Sequence, residues 1–528
     1  MTGAEIAIRC IEEQRGKTVF GYPGGRALKL YDALYQSGLS HILMTNEQHA
    51  VNAAVGYARA SGRCGVVLAT SGPGATNLVT GIANAYMDSA PVVILTCNVP
   101  RGKLGTDAFQ EIDIAGVTMP ITKYNTIVGD AAQLADTVRF AFRTAMSGRK
   151  GPVLVDIPED VLYEEADYAP KPPEEAERAV HYSKEELARA AELINKSRKP
   201  AIYAGGGVIA AGAQAELAEL QERTQAPVGM SMMGLGAYPP GGRGYVGMIG
   251  AYGRKRAAAA MDECDLLIAV GARFSERTAP DSENFAKNAK VLHIDADAAE
   301  VNKNRRTDAF LIGDARLALS ALLPGIEQKR APWLDENNAA EWDGGVHISC
   351  RDEFAFRVFR ELDRAAGDRV IYTTDVGDHQ LWATKYLEFG GDKRLITSGG
   401  LGAMGFGLGA AVGASIGAGN ARVINISGDG SFYMNMAELA TVARLGLPVV
   451  DVVINNRALG LVRRQQRLFF EGRESQSNTD WNTDYVKLAE AMGIAGFRIR
   501  SEDDVAPVMK KVMERDMGAL IEIEAGEE

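Results

Sequence analysis

The sequence predicts an α/β protein made of three doubly wound parallel-sheet domains in series. Short apolar runs alternate with helical patterns along most of the chain, as in successive βαβ units. Many of the 58 glycines cluster in short turns that follow these runs, where strand-to-helix connections are tight. A chain of 528 residues is also too long for one core and suggests about three or four domains.

Three blocks of apolar runs define the expected domains: 1–165, 184–326 and 349–528. Polar stretches at 169–177 and 327–345 are typical of linkers. Because ligands of such sheets bind at the carboxyl ends of strands, functional residues should lie just after the predicted strands. These strands are 18–25, 65–74, 91–97, 151–158, 201–207, 265–274, 290–297, 369–378, 421–431, 448–456 and 518–525.

Charge and composition exclude several classes of protein. The net charge of −11 opposes binding to nucleic acid and anionic lipid, and no Lys/Arg cluster offsets it. No apolar run is long enough to predict a membrane span, and the first residues lack the layout of a signal peptide. We therefore expect a cytoplasmic protein with small-molecule substrates. Its dispersed cysteines should be reduced and mostly buried: Cys10, Cys64, Cys97, Cys264 and Cys350.

The strongest motif follows two predicted strands of the third block. It consists of Gly428, Asp429, Gly430 and Ser431, then Asn455 and Asn456. Mg²⁺ prefers hard oxygen ligands shared with phosphates, so we expect Asp429, Asn456 and the backbone carbonyl of Ala458 to bind it. The glycines would let backbone N–H groups approach a diphosphate. A tight turn and a helix cap could give the same letters, but this pair resembles the signature of thiamine-diphosphate enzymes.

Two more glycine-rich turns of the third block open predicted helices, where backbone N–H groups suit phosphate. His379 lies in one of them and could equally be a capping or packing histidine. The residues expected to contact the cofactor in these turns and after the asparagine pair are Val376, Gly377, Asp378, His379, Gly402, Met404, Leu459 and Gly460.

Glu47 follows the segment SHILMTN in the first block. A glutamate at a strand end, facing a cofactor, can stay buried and hydrogen-bonded to a ring nitrogen. In thiamine chemistry that bond favours the imino tautomer, whose nitrogen takes the proton from the reactive carbon. Met404 is a candidate for the apolar contact that keeps such a cofactor bent. A single glutamate is ordinarily a surface residue, so this assignment depends on the surrounding motifs.

Longer segments add a more specific resemblance. They are GYPGGRALKLYDAL (21–34), SGPGATNLVTGIANAYMDSAPVV (71–93), GTDAFQEIDI (105–114), PITKYN (120–125), GPVLVDIP (151–158), GARFSER (271–277), TTDVGDHQLWA (373–383) and GLGAMGFGLGAAVGA (400–414). Together they closely resemble the catalytic subunits of acetohydroxyacid synthases, also called acetolactate synthases. The resemblance runs through all three blocks and covers most of the chain.

This resemblance implies a pyrimidine-binding domain, a central FAD-type domain, and a domain that binds the diphosphate and Mg²⁺. It implies a carboligase that decarboxylates pyruvate and joins the two-carbon unit to a second carbonyl compound. It also implies a homodimer or homotetramer, with each active site between Glu47 of one subunit and the Mg²⁺ site of another. A small regulatory subunit is a further partner of this kind of protein. Phe109 and Gln110 are expected to line the substrate site.

FAD, largely structural in that family, is a further cofactor that the resemblance implies. The positions that match its binding turns are Gly205, Gly206, Gly207, the run 247–250, Arg149, Arg277, Asp295, Gly313 and Asp314.

Five positions depart from the family pattern. Asn46 replaces a histidine, Asn98 a glutamine, Glu159 a lysine, Ile249 a histidine, and Gln465 a tryptophan that helps select the second 2-oxo acid. These changes cluster around the expected substrate and flavin sites, where specificity would be rewritten. The sequence therefore leaves two interpretations open, neutral drift in a synthase or a changed acceptor, with Asn98 and Gln465 as candidate hydrogen-bond donors.

Three other functions also stay open. The protein could be a 2-oxo acid decarboxylase or hydrolase, in which a proton or water replaces the acceptor. It could be a flavin-coupled oxidase. It could also be a non-catalytic homologue, although the presence of Glu47, Asp429 and Asn456 argues against that.

Overall fold

The computed structural model describes residues 1–14, 16–173, 178–282, 284–329, 331–334, 351–479 and 481–525. In these residues the strands form three six-stranded sheets, and every strand pair with a described register is parallel. The prediction of three doubly wound parallel-sheet domains is confirmed. The chain divides into two compact units, one made of Met1–Ala176, Val370–Gln380 and Ile396–Glu528, the other of Glu177–Arg369 and Leu381–Leu395.

The first sheet is built from the N-terminal part of the chain. Its strands are β1 (Thr18–Tyr22), β2 (Ser40–Leu43), β3 (Gly65–Ala69), β4 (Val92–Asn98), β5 (Tyr124–Ile127) and β6 (Pro152–Pro158). The helices around them are α1 (Gly3–Glu13), α2 (Leu28–Tyr35), α3 (Glu47–Ser61), α4 (Pro73–Asn77), α5 (Val79–Met87), α6 (Ile114–Thr118), α7 (Ala131–Met146) and α8 (Glu159–Tyr163). The strand order is β2-β1-β3-β4-β6-β5. The inner strands β3, β4 and β6 are buried throughout.

The second sheet follows the first linker. Its strands are β7 (Pro200–Ala204), β8 (Val228–Met230), β9 (Tyr245–Met248), β10 (Leu266–Val270), β11 (Lys290–Asp295) and β12 (Ala309–Ile312). The helices of this region are α9 (Lys184–Lys196), α10 (Gly206–Ala211), α11 (Gln214–Thr224), α12 (Lys255–Glu263) and α13 (Ala315–Leu322). The order β9-β8-β7-β10-β11-β12 is that of dinucleotide-binding sheets, and its direction of winding reverses between β7 and β10.

The third sheet repeats the strand order of the first. Its strands are β13 (Ile371–Thr374), β14 (Arg394–Thr397), β15 (Val423–Gly428), β16 (Val449–Asn455), β17 (Ala495–Ile499) and β18 (Ala519–Glu524). The remaining helices are α14 (Arg351–Ala366), α15 (Asp378–Tyr386), α16 (Gly407–Gly417), α17 (Asp429–Phe432), α18 (Glu438–Leu445), α19 (Gly460–Phe469), α20 (Tyr485–Ala491) and α21 (Glu502–Met513). The order β14-β13-β15-β16-β18-β17 places the reversal between β13 and β15.

Short 3₁₀ helices complete the described structure. They cover Gly25–Ala27, Arg101–Lys103, Met119–Ile121, Met232–Gly234, Ala298–Glu300 and Leu323–Gly325. Among the helices of the described ranges, none combines the length and the apolar character that crossing a membrane requires.

Helices α3 and α16 join the first and third sheets, which belong to the same compact unit. A Cβ at Gly56 of α3 would lie 2.0 Å from the carbonyl oxygen of Ala410, and one at Gly413 of α16 would lie 1.8 Å from that of Ala53. Because neither position has room for a side chain, the two helix backbones approach each other closely. This contact lies within one apolar core that includes residues of both sheets.

The described cysteines agree with the expectation from sequence. Cys10, Cys64, Cys97 and Cys264 form no disulfide, and three of them are buried. Cys350 and most of the predicted linker 327–345 lie outside the described residues, as do residues 174–177 of the first linker.

Candidate active site

The third sheet brings the predicted metal and diphosphate motifs to one edge. Strand β15 pairs with β13 on one side and with β16 on the other, all three parallel. Their carboxyl ends therefore lie side by side at the reversal of strand order, where ligands of open α/β sheets bind. The segments that follow them begin at Asp375, Asp429 and Asn456.

Asp429 is buried, and its two oxygens have different environments. Oδ2 accepts a hydrogen bond from the hydroxyl of Thr479, whereas Oδ1 is buried without a partner among the described residues. Burial raises the pKa of Asp429 to about 6, although the hydrogen bond from Thr479 acts in the opposite direction. A buried carboxylate with one free oxygen fits a position that receives a cation.

Asn456 and Ala458 follow β16, the strand that pairs with β15. The Asn456 Oδ1 atom accepts a hydrogen bond from the Ala458 N–H at 3.2 Å. A Cβ at Gly460 would lie 2.7 Å from Asn456 Nδ2 and 2.6 Å from Asp378 Oδ2, so a larger residue there would displace both side chains. No group of three or more His, Cys, Asp or Glu suited to a metal occurs in the described ranges.

The diphosphate turns also meet at this edge. Gly428 packs on His379, since a Cβ at Gly428 would lie 2.9 Å from the histidine Nδ1 atom. Burial lowers the pKa of His379 to about 3 against a hydrogen bond with the backbone of Asp375, so the ring is neutral. Its Nε2 atom is buried and has no partner among the described residues. The Ser431 hydroxyl closes the turn by accepting from the Gly428 N–H at 3.1 Å.

Apolar side chains border the same turn. Met404 Cε lies 3.8 Å from the position of a Cβ on Gly430, and Leu459 Cδ2 lies 2.4 Å from it. Gly402 has a φ of +72° and would place a Cβ 3.9 Å from Val376. The structure thus brings Met404, Leu459 and the glycine-rich segments together around Gly428–Ser431.

Glu47 is the first residue of α3 and is buried, with 7% exposure. Asn46 caps this helix by accepting a hydrogen bond from the Gln48 N–H at 2.8 Å. The Glu47 Oε2 atom accepts from Asn77 Nδ2 at 2.9 Å, and a Cβ at Gly74 would lie 3.1 Å from Oε1. The carboxylate is therefore held in an enclosed position at the carboxyl edge of the first sheet.

A buried ion pair links both flanks of Glu47 to the segment after Asp429. The Glu438 Oε1 atom accepts from the Thr45 N–H at 2.9 Å and lies 3.0 Å from His49 Nδ1. Burial alone would raise the pKa of Glu438, but hydrogen bonds and the charge of His49 outweigh burial and lower it. Thr45 and His49 are thus tied to one carboxylate on α18.

The predicted substrate residues of the first sheet have varied surroundings. Phe109 is 79% exposed. Gln110 has a φ of +64°, and a Cβ at Gly72 would lie 2.9 Å from its Cα atom. A positive φ in a glutamine is uncommon and fits a turn with a specific role. These two residues lie in a loop against the turn that follows β3.

The expectation that Asn98 donates a hydrogen bond to a substrate needs correction. Asn98 is 1% exposed, and its Nδ2 atom donates to Asp156 Oδ2 at 2.6 Å and to the Ile112 carbonyl at 3.3 Å. Both amide hydrogens of Asn98 are therefore donated to acceptors in the region of the first sheet.

The charge reversal at Glu159 is neutralised locally, because its carboxylate forms an ion pair with Arg26. Gln465 is exposed on α19.

The positions that match flavin-binding turns lie mostly around the second sheet. A Cβ at Gly205 would lie 2.0 Å from the Gly271 carbonyl oxygen, and one at Gly207 would lie 2.6 Å from Gly271 Cα. The turns after β7 and β10 therefore pack directly on each other. Gly206, between the two, would place a Cβ 3.1 Å from the Met233 carbonyl oxygen. Packing against the backbone is sufficient to explain glycine at positions 205 and 207.

The polar residues of the flavin set have partners within the protein. Asp295 accepts from the Asp297 N–H at 2.9 Å, and Asp314 caps α13 through the N–H groups of Arg316 and Leu317. Arg277 stacks over Tyr252 with 5.9 Å to the ring centre, and Arg149 donates to Ser89 at 2.9 Å. Ile249 is buried against Gly229, in the apolar core of this region.

Several residues at these sites carry no signal that sequence reasoning used. Thr479 and Glu438 lie far along the chain from the residues they contact and belong to no motif. Asn77 lies inside the segment 71–93, which contributed to the family resemblance but did not single out this residue. Arg464, which pairs with Asp378 at 2.5 Å, was also missed.

Comparison with known protein families agrees with this geometry. The thiamine pyrophosphate (thiamine diphosphate) enzyme models match in three parts: the N-terminal TPP binding domain at 1–117, the central domain at 187–322 and the C-terminal TPP binding domain at 375–523. These matches define an enzyme of the thiamine-diphosphate class.

Full-length relatives narrow the class. The chain is 42% identical to the probable acetolactate synthase large subunit of Methanocaldococcus jannaschii, over 99% of this chain and 92% of that protein. It is 42% identical to the acetolactate synthase isozyme 2 large subunit of Escherichia coli, over 100% and 96%. It is 44% identical to an acetolactate synthase of Arthrospira platensis, over 95% and 90%. The chain belongs to the acetolactate synthase large-subunit family of thiamine-diphosphate enzymes.

Proposed function

We propose that this protein is a carboligase that decarboxylates pyruvate and joins the two-carbon unit to a second 2-oxo acid, as in acetolactate synthesis. The observation that carries the proposal is Asp429, a buried carboxylate with one free oxygen at the reversal point of the third sheet. When bound, thiamine diphosphate supplies a nucleophilic carbon that adds to the 2-oxo acid and holds the electrons left by CO₂. The relatives that are named acetolactate synthases support this substrate class.

Mg²⁺ would be held by Asp429, the amide oxygen of Asn456 and the carbonyl of Ala458. One carboxylate and neutral oxygens suit an ion that takes its other ligands from phosphate and water. The backbone of Gly428–Ser431 would lie against the diphosphate, since glycines there leave the N–H groups accessible. Met404 would provide the apolar contact beside this turn.

Glu47 would hold a proton at a ring nitrogen of the cofactor. Its burial and the hydrogen bond from Asn77 fix the carboxylate in one orientation. A buried acid–base group that keeps its position is worth about 100-fold or more in rate.

We further propose that each active site forms between two copies of the chain. Glu47 accepts its hydrogen bond from Asn77, in the region of the first sheet, whereas Asp429 accepts one from Thr479, in the region of the third. Mixing inactive Glu47→Gln protein with inactive Asp429→Ala protein tests this arrangement. Mixed dimers would contain one site with both changes and one with neither, so activity would return. If each chain held a complete site, mixing would restore nothing.

The reaction is tested by incubating the protein with pyruvate, Mg²⁺ and thiamine diphosphate while CO₂ and acetolactate are measured. Carboligation predicts acetolactate in a ratio of about one to each CO₂ released. Release of CO₂ with acetaldehyde or acetate instead would identify a decarboxylase or an oxidase, and no CO₂ would refute the proposal.

We propose weak FAD binding and a small regulatory partner as finer features. The glycine turns after β7 and β10 would admit a dinucleotide, but Ile249 is buried in the core and offers no polar contact. A small partner is suggested because the relatives are named large subunits. Absorbance of the purified protein near 450 nm tests the first, and a stoichiometric, tightly bound flavin would refute weak binding.

A further inference from the structure

A short backbone segment pairs with the residues that follow Asn456. The Leu459 N–H donates to the Ser477 carbonyl at 2.7 Å, and the Thr479 N–H donates to the Arg457 carbonyl at 2.9 Å. Ala458 and Asn478 form an antiparallel bridge between these hydrogen bonds. The segment 477–479 is thereby fixed against the same three residues that contain the Ala458 carbonyl.

This pairing places the Thr479 hydroxyl against the Asp429 carboxylate. Thr479 is 4% exposed, and its Oγ1 atom donates to Asp429 Oδ2. The other carboxylate oxygen, Oδ1, remains buried without a partner among the described residues. One oxygen of Asp429 is thus occupied by the protein, and the other is left for a ligand.

We propose that Thr479 is a positioning residue of the metal site, which keeps Asp429 as a one-oxygen ligand and so favours Mg²⁺ over larger cations. The proposal rests on the metal site of the proposed function. Mg²⁺ demands near-ideal octahedral geometry at about 2.0–2.1 Å, whereas larger ions such as Ca²⁺ accept carboxylates through both oxygens. A carboxylate whose Oδ2 atom is hydrogen-bonded to a fixed hydroxyl offers only Oδ1. Partners that orient a ligand in this way commonly contribute 10–100-fold to metal affinity.

Removing the Thr479 hydroxyl should change the choice of cation. Thr479→Val keeps the shape of the side chain but releases Oδ2, and the carboxylate can then turn and present both oxygens. Affinity for Mg²⁺ should fall more than affinity for Ca²⁺. Thr479→Ser retains the hydroxyl and should retain the preference for Mg²⁺. A role limited to packing would instead weaken all cations equally.

A titration of the full-length protein with Mg²⁺ or Ca²⁺, at saturating thiamine diphosphate, tests the proposal without measuring turnover. Intrinsic fluorescence gives the readout, because the Trp481 ring lies 4.0 Å from the Tyr433 ring, which follows the Asp429 helix; calorimetry gives an independent value. Thr483→Val is the matched control, since that hydroxyl contacts Tyr433 rather than Asp429.

We expect Thr479→Val to raise the Mg²⁺ concentration for half-saturation about 10–100-fold, with a smaller change for Ca²⁺. Thr479→Ser and Thr483→Val should stay close to the unmodified protein. An unchanged Mg²⁺ titration in Thr479→Val would overturn the proposal, as would an equal loss for both ions. Asp429→Ala distinguishes failure of the proposed metal site from failure of the proposed role of Thr479. If it still shows Mg²⁺-dependent binding, the metal site itself is misassigned; if it does not, an unaffected Thr479→Val protein overturns only the role of Thr479.

Discussion

The substitution Glu438→Gln removes the charge that holds both flanks of Glu47. The Glu438 carboxylate accepts a hydrogen bond from the Thr45 N–H at 2.9 Å and faces His49 Nδ1 at 3.0 Å. The other ring nitrogen of His49 faces the Met434 carbonyl at 3.1 Å. Both ring nitrogens face acceptors, so His49 and Glu438 form a buried ion pair when the ring is protonated. An amide at position 438 would remove the counter-ion of that ring.

The size of the effect follows from burial. The side chains of Glu438 and His49 are 0% and 8% exposed, and removing one partner of a buried ion pair costs about 3–5 kcal/mol. At about 2–4 °C per kcal/mol for a large domain, the melting temperature should fall by roughly 10 °C. Turnover should fall as well, because a displacement of about 1 Å in a catalytic group can cost about 100-fold.

Differential scanning calorimetry and steady-state assays of a double-mutant cycle measure this coupling. His49→Gln combined with Glu438→Gln replaces the ion pair by a neutral amide pair, so the double variant should be more stable than the sum of the single losses. Glu12→Gln is the control, since Glu12 pairs with Arg9 at the surface and should cost no more than about 1 kcal/mol. The reasoning would be refuted if the Glu438→Gln protein had the melting temperature of the unmodified protein. It would also be refuted if the stability losses of the two single variants added up to that of the double variant.

Three further predictions concern catalysis, pH and specificity. Glu47→Gln should lower turnover at least about 100-fold; near-normal turnover would remove Glu47 from the mechanism. Burial raises the pKa of Asp451 to about 7, so between about pH 4 and 7 the unfolded chain loses a proton that the folded protein keeps, and stability declines as the pH rises. Asp451→Asn should flatten that decline in melting temperature, and an unchanged slope between about pH 4 and 7 would contradict it. Finally, the protein should show little preference for 2-oxobutyrate over pyruvate as acceptor, and Gln465→Trp should raise that preference about 10-fold or more; a strong preference already present in competition assays would show that Gln465 has no such effect.

The central strands could be predicted from sequence because they are buried on both faces. Five of the seven residues in each of β4 and β16 are apolar, and both strands are buried over nearly their whole length. Strands at or near sheet edges, such as β5 and β17, were missed. Both are largely half-buried or exposed and mix polar with apolar residues, so no continuous run marks them. The strand β8 has only three residues, too few for any pattern.

The site could be predicted only where function depends on neighbours in sequence. Asp429 and Asn456 each directly follow a strand, and the rule that ligands bind at strand ends predicts that they lie at the same edge of the sheet. The contacts that orient them are long-range: Thr479 is 50 residues from Asp429, and Glu438 is 389 residues from His49. Asn98 shows the reverse case. Its position suggested a substrate contact, but its side chain donates to Asp156 on the neighbouring strand β6, two residues before its register partner Pro158.

The close approach of α3 and α16 has a consequence for random mutagenesis. Gly56 lies nine residues after Glu47 on α3, about 14 Å away at 1.5 Å per residue, and Gly413 lies on the opposite helix. Any larger residue at either position must push the two backbones apart, which would shift the helix start that carries Glu47. In a selection for growth, both glycines would be as intolerant of substitution as catalytic residues, although neither contacts a substrate. Only a parallel screen for soluble protein would separate the positions that carry out the chemistry from those that set the spacing of the scaffold.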